Sequence, residues 1–173
     1  AVGRWRPAAA ALLAGSALLW GAAFVNGVYG HDNTRIVASR WMQDHIPPGA
    51  VVSSQAWDDA LPLAIAGVDT GAWPNEQFDL FGVDDVAKIE HLADQLATVD
   101  YVIESSPRVW ATVPRIPVRY PSTINFFAGL DDGTLGFERV ATFTSAPRLS
   151  LFGVQWWRLD DTHAEEAFTV YDH

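Results

Sequence analysis

The sequence contains no cysteine and a single lysine, Lys88, among its 173 residues. Without cysteine the chain has neither disulfide bonds nor thiolate metal ligands, so its fold depends on core packing. The formal net charge is -10, and every Asp and Glu follows residue 31. Such an acidic chain offers no extended basic surface, and we therefore expect no nucleic-acid partner.

Ionisable side chains are also absent from residues 7–28, PAAAALLAGSALLWGAAFVNGV. As an α-helix this stretch would be about 30 Å long at ~1.5 Å per residue, the thickness of the hydrocarbon core of a bilayer. Arg4 and Arg6 precede it, and the positive-inside bias then places the N-terminus in the cytoplasm and residues 30–173 outside. We predict a transmembrane helix over 7–28 that holds an extracytoplasmic domain, residues 31–173, at the cell membrane.

The predicted transmembrane helix is rich in alanine and glycine. Pairs of small residues four positions apart, such as Ala10 with Ala14 and Ala17 with Gly21, allow another helix to approach closely. We therefore expect further transmembrane helices of a longer protein as partners, with this chain as a fragment of it. A single-span anchor is the alternative, and a signal peptide is disfavoured because the apolar run exceeds the roughly 7 to 15 residues of a signal core.

Two helix-to-strand units follow the apolar stretch. The first is a helix over 33–45, with Trp41 on its apolar face, followed by a strand over 50–54. The second begins at Asp84-Asp85, continues to Val99 as an amphipathic helix with Val86 on its apolar stripe and Gln95 on its polar face, and leads into a strand over 100–104. Two such units predict a mixed α/β fold with a partly parallel sheet.

The remaining elements follow from proline positions, turn residues and β-branched runs. We predict short helices over 58–66 and 107–111, a helix over 122–130, and strands over 137–144, 149–159 and 166–171. The domain therefore closes in β structure.

Polar side chains follow both predicted parallel strands, and ligands of open α/β sheets bind outside the carboxyl ends of strands. Hydroxyl, amide and guanidinium groups hydrogen-bond to sugars or phosphates, and a Trp ring can stack on a sugar. The alternative is structural: a serine helix cap, a core Trp, and an Arg108–Glu104 pair. The candidate binding residues are Ser53, Ser54, Gln55, Trp57, Asp58, Asp59, Glu104, Ser105, Ser106 and Arg108.

No recognised catalytic or cofactor motif occurs in the sequence. HExxH, GxSxG and the glycine-rich nucleotide loops are missing, and Asp58-Asp59 alone is weak evidence for a metal. We assign no catalytic residue, metal ligand or cofactor. A cluster of Arg115, Arg119 and Tyr120 is either a surface loop fixed by prolines or a contact for phosphate or lipid headgroups.

Four segments carry a family resemblance: TRIVASRWMQDHIPPGAVVSSQAWDDALPL, DYVIESSPRVWATVPRIPVRYP, LGFERVATFTSAPRL and EEAFTVYDH. Together they resemble the C-terminal end of polytopic bacterial membrane glycosyltransferases of the GT-C type, similar to the protein O-mannosyltransferase and lipid A aminoarabinose transferase superfamily. The family's motifs map onto residues 57–59 and onto Ser105, Ser106 and Arg108.

The resemblance implies a polyprenyl-phosphate-linked sugar as donor and a catalytic Asp in an early loop that this chain does not contain. Residues 31–173 would then be the non-catalytic extracytoplasmic domain of a glycosyltransferase. The alternative is a membrane-anchored binding or sensor domain without catalysis.

Overall fold

The computed structural model describes residues 6–58, 60–104, 107–158 and 166–173. Along the chain, the elements are α1 (Arg6–Phe24), a π-helix (Val25–Tyr29), α2 (Thr34–His45), β1 (Val52–Gln55), β2 (Asn75–Phe78), α3 (Val86–Leu96), β3 (Tyr101–Glu104), α4 (Pro107–Trp110), a 3₁₀-helix (Val113–Arg115), α5 (Pro121–Asp131), β4 (Glu138–Ser145), β5 (Arg148–Leu151), β6 (Val154–Arg158) and β7 (Glu166–Asp172).

These elements form two compact units. The helix–hairpin unit comprises residues 1–33 and 145–165, and the sheet unit comprises residues 34–144 and 166–173. The sequence did not predict that residues 145–158 associate with the N-terminal helix. Each unit has its own packing.

In the helix–hairpin unit, α1 and the π-helix form one helical stretch from Arg6 to Tyr29. This stretch covers the helix predicted over 7–28, and it is long and apolar enough to cross a membrane by length and composition. Strands β5 and β6 pair antiparallel as a hairpin, with Arg148 opposite Arg158 and Leu151 opposite Val154. The strand predicted over 149–159 is therefore two strands, because Phe152 and Gly153 turn the chain at φ 53° and 80°.

In the sheet unit, five strands follow the order β2-β1-β3-β7-β4. Strand β1 is parallel to both neighbours, with Val52 opposite Asn75 of β2 and Tyr101 of β3. Strand β7 is antiparallel to β3. This arrangement confirms the mixed α/β fold and the partly parallel sheet.

Both faces of the sheet are covered. Successive residues of a strand point to opposite faces, so Val102 packs with α5 residues on one face while Ile103 packs with α2 residues on the other. The first core includes Phe78, Leu80, Val102, Val109, Phe126, Leu130 and Tyr171. The second includes Ala38, Met42, Ile46, Val52, Leu61, Trp73, Ile103 and Val170.

The buried face of α2 is centred on Ala38 and Met42, which are fully buried. Trp41, predicted on the apolar face, packs against the same core but is half-buried, with its ring stacked 4.6 Å from that of His45. Ser39 is fully buried as well, and its hydroxyl is satisfied because it donates to the Arg35 carbonyl and accepts from the Leu63 amide.

Two further predictions were wrong within the described residues. The range 58–66 forms turns and bends instead of a helix, and Pro62 in its middle explains this because proline removes a helical hydrogen bond and clashes with the preceding turn. On α3, Val86 is 70% exposed, while Gln95, expected on the polar face, is buried and donates to the Gln77 carbonyl at 3.0 Å.

Candidate ligand-binding cleft

An open cleft of about 580 Å³ lies where the parallel strands β1 and β2 end. The chain leaves β1 towards Trp57 and leaves β2 towards Asp79, so one lining residue comes from each strand's carboxyl end. Ligands of open α/β sheets bind at such ends. The lining residues are Trp57, Asp79, Phe81, Gly82, Arg119 and Tyr120.

Trp57 is the most unusual residue of the cleft. Its side chain is 80% exposed and its backbone has φ 75°, a left-handed conformation that bulky residues rarely adopt. The turn is closed by the Asp58 amide, which donates to the Gln55 carbonyl at 3.2 Å. Such a conformation costs on the order of 1–3 kcal/mol, and strained residues of this kind cluster at ligand sites.

A cation and an aromatic ring form another side of the cleft. The Arg119 guanidinium lies 5.3 Å from the centre of the Tyr120 ring, within the range of a cation–π contact. Tyr120 is buried, and its hydroxyl donates to the Phe81 carbonyl at 3.3 Å. The Asp79 carboxylate accepts from the amides of Phe81 and Gly82, which fixes the loop after β2.

Lys88 also stabilises the loop after β2. Its ammonium donates to the carbonyls of Leu80 and Gly82, to the Asp84 carboxylate and to the Thr123 hydroxyl, at 2.7–3.1 Å. It also lies 5.7 Å from the Tyr120 ring centre. The single lysine of the chain therefore connects α3, the loop after β2 and the beginning of α5.

Loss of hydration raises the pKa of Asp84, but hydrogen bonds and the Lys88 charge outweigh it and lower the pKa below 3.8. Besides Lys88, this carboxylate accepts from the amides of Ser122 and Thr123 and from the Thr123 hydroxyl. The two amides belong to the first turn of α5, where an anion satisfies free N–H groups. Asp84 is thus a helix cap supplied by another segment.

Several predicted binding side chains lie inside the sheet instead of in the cleft. The Ser53 hydroxyl accepts from the Ile103 amide at 3.0 Å, and the Ser54 hydroxyl donates to the Asn75 side chain at 2.7 Å. Gln55 is also buried. The strand burial pattern explains this placement, because all four residues of β1 are covered by the two faces and by neighbouring strands.

Asp58 and Arg108 have different environments. The Asp58 carboxylate is almost fully buried and forms an ion pair with Arg35 of α2, whereas Arg108 is exposed on α4. Asp59, Ser105 and Ser106 lie outside the described residues. Of the predicted residues that the structure describes, Trp57 is the one that lines the cleft, and ligand binding by any member of the set stays a prediction.

Glu104, the last residue of β3, has a carboxyl group whose pKa is raised. Loss of hydration raises the pKa of its carboxyl from 4.5 to about 7, against the opposing effects of the Tyr171 hydroxyl and the Arg139 charge. The Tyr171 hydroxyl donates to this carboxyl at 3.3 Å, and burial together with the Glu104 charge raises the Tyr171 pKa to about 12. A carboxyl with a pKa near 7 is able to exchange a proton at neutral pH.

The sequence did not indicate Asp79, Phe81 and Gly82 as site residues, because β2 itself was missed. Its sequence, NEQF, contains one apolar residue, and the strand is a short edge strand with only Phe78 buried. The sequence indicates Arg119 and Tyr120 as a cluster, but it does not indicate that they lie in the same cleft as Trp57. Among the residues that the structure describes, no group of three or more His, Asp or Glu forms a metal cage.

No protein-family model, curated protein or solved structure matches the chain. The likeness to GT-C glycosyltransferases therefore stays a prediction from the sequence segments themselves. The cleft and the apolar helix are the features of the chain that bear on its function.

Proposed function

We propose that the chain is part of a bacterial integral-membrane glycosyltransferase that uses a polyprenyl-phosphate-linked sugar. In this proposal residues 30–173 are extracytoplasmic and non-catalytic, and the cleft between Trp57 and Tyr120 holds the sugar–phosphate part of a lipid-linked ligand. The catalytic Asp belongs to an early extracytoplasmic loop of the full-length protein, whose transmembrane segments pack with α1.

The observation that carries the proposal is the strained, exposed Trp57 at the end of β1. An exposed indole gains nothing for folding in water, and its left-handed backbone costs free energy. Ligand contact explains why a bulky ring occupies this position, since an aromatic face stacks on the C–H face of a sugar. The neighbouring ion pair of Asp58 with Arg35 then has a positioning role, because it fixes the turn that presents the ring.

The charge of the cleft supports a phosphate. The chain as a whole is acidic, yet Arg119 lies in the cleft with its guanidinium on the Tyr120 ring. A guanidinium binds phosphate oxygens through two parallel hydrogen bonds, and stacking on a ring fixes its plane beforehand. The Asp79 carboxylate also lines the cleft and keeps its negative charge, which its hydrogen bonds with the amides of Phe81 and Gly82 offset only in part.

A binding measurement tests the proposal. The full chain in nanodiscs would be titrated with a short-chain prenyl-phosphate hexose, with hexose 1-phosphate, and with the uncharged prenol. We expect the first to bind most tightly and Arg119→Ala to weaken it roughly 10-fold or more, since a hydrogen bond to a charged group contributes ~1.5–3 kcal/mol.

Arg115→Ala is the matched control. Arg115 is an exposed arginine four positions earlier that does not line the cleft, so its removal changes net charge equally without removing the phosphate contact. Equal affinities of the two variants, or prenol binding as tightly as the prenyl phosphate, would overturn the proposed ligand.

The second candidate is a membrane-anchored binding or sensor domain. The same cleft favours it, because an open groove with one arginine binds a soluble sugar phosphate equally well. Hexose 1-phosphate binding as tightly as the prenyl-phosphate hexose supports this candidate. The gene upstream of Ala1 separates the two as well: ten or so further spans support the transferase, and an immediate start codon supports the anchored module.

The proposed orientation has its own measurement. A reporter enzyme that is active only outside the cytoplasm, fused after His173, should be active because Arg4 and Arg6 favour a cytoplasmic N-terminus. An inactive outside reporter together with an active cytoplasmic one would reverse the topology and remove the lipid-linked donor.

A further inference from the structure

We propose that the β5–β6 hairpin dips into the membrane interface beside α1, with its apolar tip in the lipid and its arginines at the level of the lipid phosphates. The proposal rests on α1 crossing the membrane, which is part of the proposed function. It concerns the helix–hairpin unit alone and adds a lipid-binding site distinct from the cleft.

The hairpin exposes large apolar side chains at its turn. Phe152 is 96% exposed and Trp156 is 74% exposed, and Leu151 and Val154 beside the turn are also exposed. A two-residue turn at positive φ normally carries Asn or Gly, yet Phe152 occupies its first position at φ 53°. In water such a turn is unfavourable on both steric and hydrophobic grounds, whereas in lipid the ring is buried.

The hairpin packs against the C-terminal end of the helical stretch that α1 begins. At the base, the Arg148 guanidinium lies 2.7 Å from His31 Nε2, and the Asn26 side chain accepts from the amide and hydroxyl of Ser150. Ala146 and Arg148 also lie against Gly27, so the start of the hairpin packs on the C-terminal end of the helical stretch.

A contact between two tryptophans places the hairpin beside the apolar part of α1. The Trp157 ring lies 6.1 Å from the ring of Trp20, which is well inside the uncharged stretch of α1. Trp20 precedes Tyr29 by nine residues, or about 13 Å of helix. If α1 spans the bilayer, Trp157 lies at or below the interface, where indole rings prefer to reside.

The charges of the hairpin match an anionic headgroup layer. Arg148 and Arg158 are directly opposite each other at the open end of the hairpin, away from the apolar turn. Guanidinium groups donate hydrogen bonds to phosphate oxygens, so this end of the hairpin suits the headgroup layer. The hairpin therefore has cations at one end and apolar side chains at the other, as expected for a segment lying across the lipid interface.

The backbone limits how far the hairpin enters. A two-stranded hairpin leaves N–H and C=O groups unpaired along its outer edges, and such groups are not tolerated in the hydrocarbon core. Only the turn and the tryptophan rings are therefore in the apolar region, while the edges remain among headgroups and water.

Single-cysteine labelling tests the proposal cleanly because the sequence has no cysteine. The full chain carrying Phe152→Cys would be nitroxide-labelled in phospholipid vesicles, and its collision rates with lipid-soluble oxygen and with a water-soluble nickel chelate would be compared. Val154→Cys repeats the measurement one residue beyond the turn. Leu12→Cys, exposed on α1, and Val118→Cys, 95% exposed in the sheet unit, are the lipid and water references.

We expect the labels at 152 and 154 to resemble Leu12→Cys, with oxygen favoured over the chelate several-fold relative to Val118→Cys. If Leu12→Cys is in lipid but both hairpin labels behave like Val118→Cys, the hairpin lies in water and the inference is wrong, although the membrane span stands. Labels shielded from both reagents indicate cover by another helix or a second copy, which also overturns it. An aqueous Leu12→Cys refutes the membrane span itself.

Discussion

Asp84 and Lys88 form a largely buried ion pair at 2.7 Å, one helical turn apart, whose side chains are 1% and 13% exposed. The pair is more than a local helix contact, because Asp84 also caps α5 and Lys88 also holds the loop after β2. Two helices and one wall of the cleft therefore depend on two side chains. This arrangement makes the single lysine of the chain a structural residue.

Asp84→Asn should lower the free energy of unfolding by about 2–4 kcal/mol, because it leaves the Lys88 ammonium without its carboxylate. Asp85→Asn is the matched control: Asp85 caps α3 through the Lys88 amide, and Asn is an equally good cap. Thermal unfolding of the full chain in nanodiscs, followed by near-UV circular dichroism, compares them. Equal melting temperatures would contradict the role assigned to Asp84.

The same pair predicts a loss of stability in acid. Because the folded-state pKa of Asp84 is lowered, the folded chain binds fewer protons than the unfolded chain as the pH falls below the unfolded pKa of 3.8. The contribution of Asp84 is therefore complete above that pH and is lost as the pH falls through the folded-state pKa. Asp84→Asn should remove this part of the acid transition, and Asp85→Asn should retain it.

Glu104 predicts the opposite dependence on pH. Its folded-state pKa of about 7 exceeds the usual 4.5, so between these values the folded chain binds more protons and stability falls as the pH rises. We expect a loss of about 2–3 kcal/mol from pH 4.5 to pH 8. Glu104→Gln should match the natural chain at pH 4.5 and exceed its stability at pH 8.

Glu90→Gln provides the comparison for Glu104→Gln, since Glu90 is exposed on α3. Unfolding in urea at both pH values measures all three chains. A Glu104→Gln variant with the same pH dependence as the natural chain would mean that Glu104 does not carry the effect.

Gly27→Ala should detach the hairpin from the helix. A Cβ at Gly27 would lie 2.1 Å from the Ala146 carbonyl oxygen and 2.6 Å from the Arg148 amide, distances that require the backbone to move. Overpacking of this kind costs about 1–3 kcal/mol. Faster trypsin cleavage at Arg148 and Arg158, quantified by mass spectrometry of the fragments, is the expected result.

Gly15→Ala is the control for this substitution, because nothing lies within 4 Å of a Cβ at Gly15 in α1. Its cleavage rates should equal those of the natural chain. If both alanine variants are cleaved alike, the close approach at Gly27 does not hold the hairpin.

Local patterns were sufficient for most of the sheet unit. Acidic residues before α3 and Pro121 at the start of α5 marked helix starts, and β-branched runs marked β1 and β3. The capping residues, the proline and the apolar spacing that mark these elements are local features of the sequence. The helix predicted over 58–66 failed because its apolar residues pack as a loop around Pro62.

Long-range placement was not predictable from the same patterns. Asn26 and Ser150 are 124 positions apart, and nothing local to either indicates their hydrogen bond. The cleft also depends on long-range contacts, because Trp57, Asp79 and Arg119 come from three separate loops. Burial is long-range as well: the polar side chains of Ser54 and Gln55 at a strand end suggest an open position from the sequence, whereas the structure buries both.

Two substitutions of Trp57 separate the free-energy cost of its strained backbone from the contribution of its ring to ligand binding. Trp57→Ala removes the ring and keeps a side chain at φ 75°, whereas Trp57→Gly removes both the ring and the steric conflict. We expect Trp57→Ala to change stability little, because the ring is mostly exposed. Trp57→Gly should be more stable than Trp57→Ala by about 0.5–1.5 kcal/mol, the left-handed strain less the entropy of glycine.

Both variants should lose affinity for the prenyl-phosphate hexose to a similar extent, because each lacks the indole face. A chain that becomes more stable while binding less would identify Trp57 as a residue held in strain for its ligand. Urea unfolding and the binding titration on the same nanodisc samples measure the two effects together. If Trp57→Gly unfolds more easily than the natural chain by over 1 kcal/mol, the ring stabilises the fold, and the cleft loses the residue on which its proposed function rests.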